Sequence, residues 1–170
     1  MWAEHLRQFG PATKVTTSRS LATAPHDRKR RLDAKRSLKY PAVRFDDAQI
    51  GAIGDGFDTT VEQLGLQIFA CAIMTDHVHL VIDRHNESIE FIAGFLKRSA
   101  SRALSRAGCH PFAARSKPHG RLPSPWVEGG WNVFLDTDDE IRHRIGYTND
   151  NPVKARLPRQ QWPFVVPFDP

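Results

Sequence analysis

Two histidines, His77 and His79, stand two residues apart inside an apolar, β-branched run, Ala70 to Asp83 (ACAIMTDHVHLVID). A strand sends residues i and i+2 to the same face. Both imidazoles would then leave one side, their roots about 7 Å apart by the rise per residue. Neutral imidazole is a common ligand of divalent metals, and two on one rigid strand make half a site. The competing reading is a wet histidine pair on a solvated sheet face, which the apolar neighbours of a central strand make less comfortable. A second segment, Tyr147 to Leu157 (YTNDNPVKARL), offers a candidate nucleophile. A phenol with a pKa near 10 attacks phosphorus only with help. A divalent ion gives that help by polarising the phosphate and stabilising charge on the departing oxygen. Taken alone, a tyrosine on an amphipathic helix is more often a packing residue. Asn151 carries an amide oxygen able to complete a metal shell, and before Pro152 it also reads as a helix end. Together the two segments suggest phosphodiester chemistry on a nucleic acid.

The elements that must position these residues follow from periodicity. Leu66 to Met74 reads as a buried strand, Thr75 and Asp76 as a tight turn, and His77 to Asp83 as the antiparallel return strand of a hairpin. Asp46 and Gln49 have capping-box spacing. Ile50, Ile53, Phe57, Val61 and Leu64 then recur at helical steps, although Gly51, Gly54 and Gly56 weaken that helix. Ser88 to Arg106 reads as a second helix, apolar at Ile89, Ile92, Ala93, Leu96, Ala100 and Ala103. Arg98, Arg102 and Arg106 recur every fourth residue on another face, either as a solvated stripe or as a phosphate track. Residues 108–125 read as a Gly-, Pro- and base-rich loop. Trp126 to Leu135 reads as a strand interrupted by Gly129 and Gly130. Thr137 and Glu140 open a third helix, which carries His143, Tyr147 and Asn151 on one side and ends at residue 151. Trp162 to Phe168 reads as an edge strand or extended cap. Tyr40 to Phe45 is extended, because Pro41 discourages helix before it.

The net charge of +5 is unevenly spread. Residues 1–45 hold eleven Lys/Arg against three acids, while residues 46–170 hold thirteen against sixteen. The basic character belongs to the N-terminal arm, densest at Arg28, Lys29, Arg30 and Arg31. Such a cluster can pair with phosphates and release counterions, or it can be a solvated tail. Residues 1–27 read as a poorly ordered arm and residues 28–170 as one domain, its first piece a short basic helix over 28–40. The apolar fraction of 40% is ordinary for a globular chain. No run reaches the length of a membrane span, and residues 1–25 lack a signal-type apolar core. The expected location is therefore cytoplasmic. Cys71 reads as a core residue, and two isolated cysteines, Cys71 and Cys109, suggest neither a disulfide framework nor a zinc finger.

DHVHLVI, the basic amphipathic helix after it, and Tyr147 followed by Asn151-Pro152-Val153-Lys154-Ala155 together resemble the single-tyrosine HUH transposases. These include the transposases of small insertion sequences and the REP-associated tyrosine transposases. The resemblance covers roughly residues 40–165. It implies an α+β fold, a ferredoxin-like sandwich with an antiparallel sheet and helices on one face. It implies that His77, His79 and Asn151 ligate Mg²⁺ or Mn²⁺, and that Tyr147 attacks single-stranded DNA, becoming joined to a 5′ phosphate as a 3′ hydroxyl departs. It further implies a hairpin or palindromic DNA partner held by Arg28–Arg31, Arg98, Arg102 and Arg106, and a nucleoid-associated location. Its members include monomers, and homodimers in which the tyrosine serves the partner's site. They usually open with a strand at the sheet centre. Residues 1–25 offer Ala12 to Thr17 as the best, weak candidate for it, so the readings left open are a strand there and a missing strand. Two rival readings are a relative that binds DNA hairpins without cutting and a metallohydrolase built on the HxH pair. The second would recruit Asp83 and His85 but lacks the HxHxDH spacing.

Overall fold

The computed structural model describes residues 14–15, 40–115, 120, 122–127 and 130–169. Its elements in chain order are β1 (Lys14–Val15), α1 (Asp47–Leu64), β2 (Ile68–Ile73), β3 (Val78–Ile82), α2 (Ile89–Arg106), β4 (Gly130–Trp131) and α3 (Asp138–Lys154). The chain divides into two compact units, one of residues 43–125 with 136–170, the other drawn from 1–42 and 126–135. The expected arm over 1–27 lies outside the described residues except at Lys14 and Val15, and the basic helix over 28–40 except at Tyr40.

The larger unit has an α+β arrangement, a two-stranded antiparallel sheet packed against three helices. Capping fixes where each helix begins. The Asp46 carboxylate accepts from Gln49 N at 2.8 Å, and Asp46 N donates to the Gln49 side chain at 3.1 Å. Each bond satisfies a donor that the first turn would otherwise leave open. Gly65, at φ 65°, closes α1 in the left-handed conformation that glycine adopts without strain. Ile50, Ile53 and Phe57 on α1, and Ile92, Leu96, Ala100 and Leu104 on α2, are buried. The two helices approach so closely that a Cβ on Gly56 would sit 2.7 Å from the Ala100 backbone. The glycines that weaken the helix by propensity are thus partly explained by packing. The six-membered ring of Trp162 covers Gly54 in the same way.

β2 is buried along its whole length and β3 is mostly half-buried. The hairpin turn is the expected Thr75–Asp76 pair, closed by Met74 N donating to His77 O at 2.8 Å. His79 lies opposite Ala72, and a register shift sits between Ile68 and Ala70. Ile53, Ile68, Ile73 and Leu104 are among the largest fully buried side chains. Each contributes about 1.5–3 kcal/mol relative to an exposed position.

The apolar tail folds back along β2. Val166 N donates to Ile68 O, and the Gln160 amide both donates to and accepts from the Ile73 backbone at 2.8 Å. Of the two expectations, edge strand or extended cap, the tail follows the second, with a single bridge between Ile68 and Val165.

On α3 the Thr137–Glu140 capping box forms as expected, with Asp138, Asp139 and Glu140 in the first turn complementing the helix dipole. The expected end at residue 151 is overrun by three residues. Pro152 lies inside the last turn with its ring fully buried. That packing offsets the single helical bond a proline forfeits. Ala155 N and Leu157 N then cap the carbonyls of Asn151 and Pro152.

In the smaller unit β1 pairs with β4, Lys14 opposite Gly130 and Val15 opposite Trp131. This ladder is parallel, so the expectation of an antiparallel sheet holds for the β2–β3 hairpin alone. Of the strand expected over Trp126 to Leu135, the described residues show Gly130–Trp131. Among the described residues, no helix is long and apolar enough to cross a membrane.

Candidate active site

The site starts at the hairpin turn. His77 is the first residue after it and His79 is the second residue of β3, so strand alternation sends both rings to one side. Ala72 lies opposite His79 and is buried. The two Nε2 atoms lie 3.0 Å apart, and the rings meet edge to face with centroids 4.7 Å apart.

Asp76 orients the first ring. Its carboxylate lies 2.7 Å from His77 Nδ1, in a partly exposed pair. A proton on Nδ1 donated to this carboxylate leaves the Nε2 lone pair facing His79 and raises its basicity, as outer-shell carboxylates do for metal-bound histidines. His79 sits deeper. Burial first, then the charges of His77 and Arg144, lower its pKa to about 4. At neutral pH it is therefore the uncharged imidazole, with one ring nitrogen protonated and the other carrying a lone pair.

The two rings are within hydrogen-bonding distance Nε2 to Nε2, and the same separation suits two ligands of one ion. Two ligands in adjacent octahedral positions at ~2.1 Å from an ion lie about 3.0 Å from each other, which is the separation of the two Nε2 atoms. Among the described residues no three His, Cys, Asp or Glu side chains converge on one point. The pair therefore offers two nitrogen ligands, and the remaining positions fall to an amide oxygen, water or substrate oxygens. Mg²⁺ commonly retains such waters and phosphates. His85 is not available to enlarge the cluster. Its Nε2 bonds Leu64 O at 2.9 Å and its Nδ1 accepts from Glu87 N at 3.0 Å.

Tyr147, midway along α3, lies against the pair. Its ring meets that of His79 at 5.7 Å between centroids and 89° between planes, with 41% of the residue open to solvent. Neighbouring Thr148 and Pro152 are buried, which holds the helix at a fixed rotation. Asn151 follows one turn after Tyr147, half-buried, and its amide nitrogen has no hydrogen-bond partner.

Sequence reasoning missed two cations beside the phenol. Arg144 lies over the Tyr147 ring at 5.5 Å, and Lys154 approaches the same ring at 5.7 Å while pairing with Asp150 at 3.5 Å. Their spacing from Tyr147, three residues before and seven after, was the available signal, because those offsets share a helix face.

The structure does not gather every expected residue at this point. Arg98, Arg102 and Arg106 are exposed on α2, whose buried face packs on α1, and Arg98 lies over Phe95 at 5.1 Å. Arg28, Lys29, Arg30 and Arg31 lie outside the described residues. Cys71 is buried as expected, and burial pushes its thiol pKa far up, leaving an inert core group. No family model, curated protein or solved structure matches the chain.

Proposed function

We propose that the protein cleaves and rejoins single-stranded DNA through a tyrosyl–phosphate intermediate, with Mg²⁺ or Mn²⁺ held by His77, His79 and the Asn151 amide oxygen. The observation that carries this reading is the convergence of the two Nε2 atoms, 3.0 Å apart, beside the ring of a half-exposed tyrosine. When bound, the ion supplies polarisation of the phosphate and stabilises charge on the departing oxygen.

The chain's own residues perform the rest. Asp76 fixes the His77 ring, and burial keeps His79 neutral. α3 sets the Tyr147 ring against the His79 ring, which supports a reading in which attack is a matter of orientation rather than encounter. The phenolic oxygen forms a bond to phosphorus as the bond from phosphorus to the 3′ oxygen breaks. The phenolic proton passes to water, and the departing 3′ oxygen takes one up. One phosphodiester replaces another, and the reverse attack by a 3′ hydroxyl rejoins the strand.

The reading carries with it a ferredoxin-like sandwich, a hairpin or palindromic DNA partner, a cytoplasmic, nucleoid-associated setting, and either a monomer or a dimer exchanging tyrosines. The basic segment Arg28–Arg31 and the stripe Arg98, Arg102, Arg106 would hold the strand away from the cut. The metallohydrolase alternative is weakened by the local bonds of His85.

The test is incubation of the full chain with end-labelled single-stranded hairpin DNA and Mn²⁺, followed by a denaturing gel. Wild type is expected to give a covalent band and Tyr147→Phe none, with binding of the labelled hairpin retained. A band that survives the substitution refutes the nucleophile. A native-gel shift without any covalent band in wild type favours the non-cutting binder.

A further inference from the structure

Arg144 is costly where it stands. Its Nε is buried and has no hydrogen-bond partner. Leaving such a charge-bearing donor unsatisfied costs more than a single hydrogen bond normally contributes. Its guanidinium lies over the exposed ring of Tyr147 at 5.5 Å, close enough to His79 for its charge to act there. The contact with the ring leaves the buried Nε–H without a hydrogen-bond acceptor. Lys154 brings a second cation to the same ring at 5.7 Å, and its Asp150 partner, at 3.5 Å, is a partly exposed i,i+4 pair that releases readily. Two cations on one half-exposed phenol ring set positive charge where an anion brought to Tyr147 would sit. Arginine's planar fork suits phosphate in particular.

We propose that Arg144 is the phosphate-binding residue of this site, gripping the phosphodiester at Tyr147, with Lys154 as the second cation on the same group. The inference rests on the strand-transfer reading for its choice of ligand, a nucleic-acid phosphodiester. The anion site itself can be tested without any bond being cut.

The full chain is labelled with ¹⁵N at arginine, and the Arg144 Nε resonance is identified by its loss in Arg144→Lys. Titration with dimethyl phosphate is expected to shift that resonance to saturation. A resonance unmoved across the titration overturns the proposal. In a Tyr147→Phe background, binding of a single-stranded oligonucleotide is measured against salt. Arg144→Gln is expected to reduce the slope of log affinity on log salt by about 0.7, the value of one phosphate contact on a single strand, and Arg144→Lys to restore it. A slope equal in all three also overturns the proposal, since a merely structural arginine would change stability and not counterion release. In the active protein, Arg144→Gln is expected to slow adduct formation ~100-fold, the usual loss when one transition-state donor is removed. An Arg144 resonance that saturates in a protein forming no covalent DNA adduct upholds the anion site and counts against strand transfer alone.

Discussion

His77 and His79 are alike in sequence and unlike in surroundings, and the difference divides their work. His77 is half-exposed and tethered to Asp76 at 2.7 Å, whereas His79 is desolvated and held neutral to about pH 4. One ring is oriented, the other kept uncharged. Asp76 was legible in the sequence as a turn residue and as a polar neighbour of the pair, but nothing in DHVH says that a turn carboxylate folds back onto the next ring. Asp76→Asn keeps the turn and removes the charged acceptor. It is expected to weaken Mn²⁺ binding, read by isothermal titration, by about 10–100-fold, the usual effect of losing such an outer partner. Unchanged affinity would mean that His77 needs no orientation. Tyr147 and Asn151 were readable as types at a spacing. The idle donors on Arg144 and Asn151 were not, since hydrogen-bond satisfaction depends on what the fold brings near.

At the scale of elements, local signals read well and packing signals did not. Both capping boxes, the Thr75–Asp76 turn and the apolar steps of α1 and α2 fell where expected, since each depends on a few neighbouring residues. The overrun of α3 past Asn151 depends on burial of the Pro152 ring, and the extended C-terminal cap on one Gln160 side chain clasping Ile73 across 87 residues of chain. Neither is written locally. The glycines of α1 make the point testable. Gly51 has nothing within 4 Å of a would-be Cβ, whereas Gly56 meets the Ala100 backbone at 2.7 Å. Gly51→Ala is expected to stabilise by up to ~1 kcal/mol through helix propensity. Gly56→Ala is expected to destabilise by about 1–3 kcal/mol through overpacking. Urea denaturation of both variants checks the pair. Equal effects would mean that the α1–α2 contact is looser than described.

Over the whole molecule, charge and protonation set the working conditions. The basic excess lies before residue 46, while the candidate site lies in the unit that carries the balancing acids. On the proposed strand-transfer reading, DNA binding would combine a salt-sensitive arm with a more specific core contact. Two histidines link stability to pH. Burial holds His110 below its ordinary value, and burial with nearby positive charge holds His79 at about 4. The unfolded chain takes up these protons near pH 6.5 and the folded chain only at lower pH. Stability is therefore fully present above about pH 6.5 and is lost progressively as pH falls toward 4. The urea midpoint measured with chelator present should hold steady from about pH 8 to 7 and drop by pH 5. A midpoint flat across that range would contradict the burial of both rings.

The central claim is that the phenol at residue 147 becomes bonded to DNA phosphorus beside the histidine pair. The most direct measurement is tandem mass spectrometry of the chain after reaction with hairpin DNA and Mn²⁺, nuclease trimming and proteolysis. The account predicts a phosphonucleotide mass on Tyr147 in wild type and no such adduct in His77→Ala or His79→Ala. A covalent nucleotide on any other residue, or one on Tyr147 that forms equally well without both histidines, would contradict it.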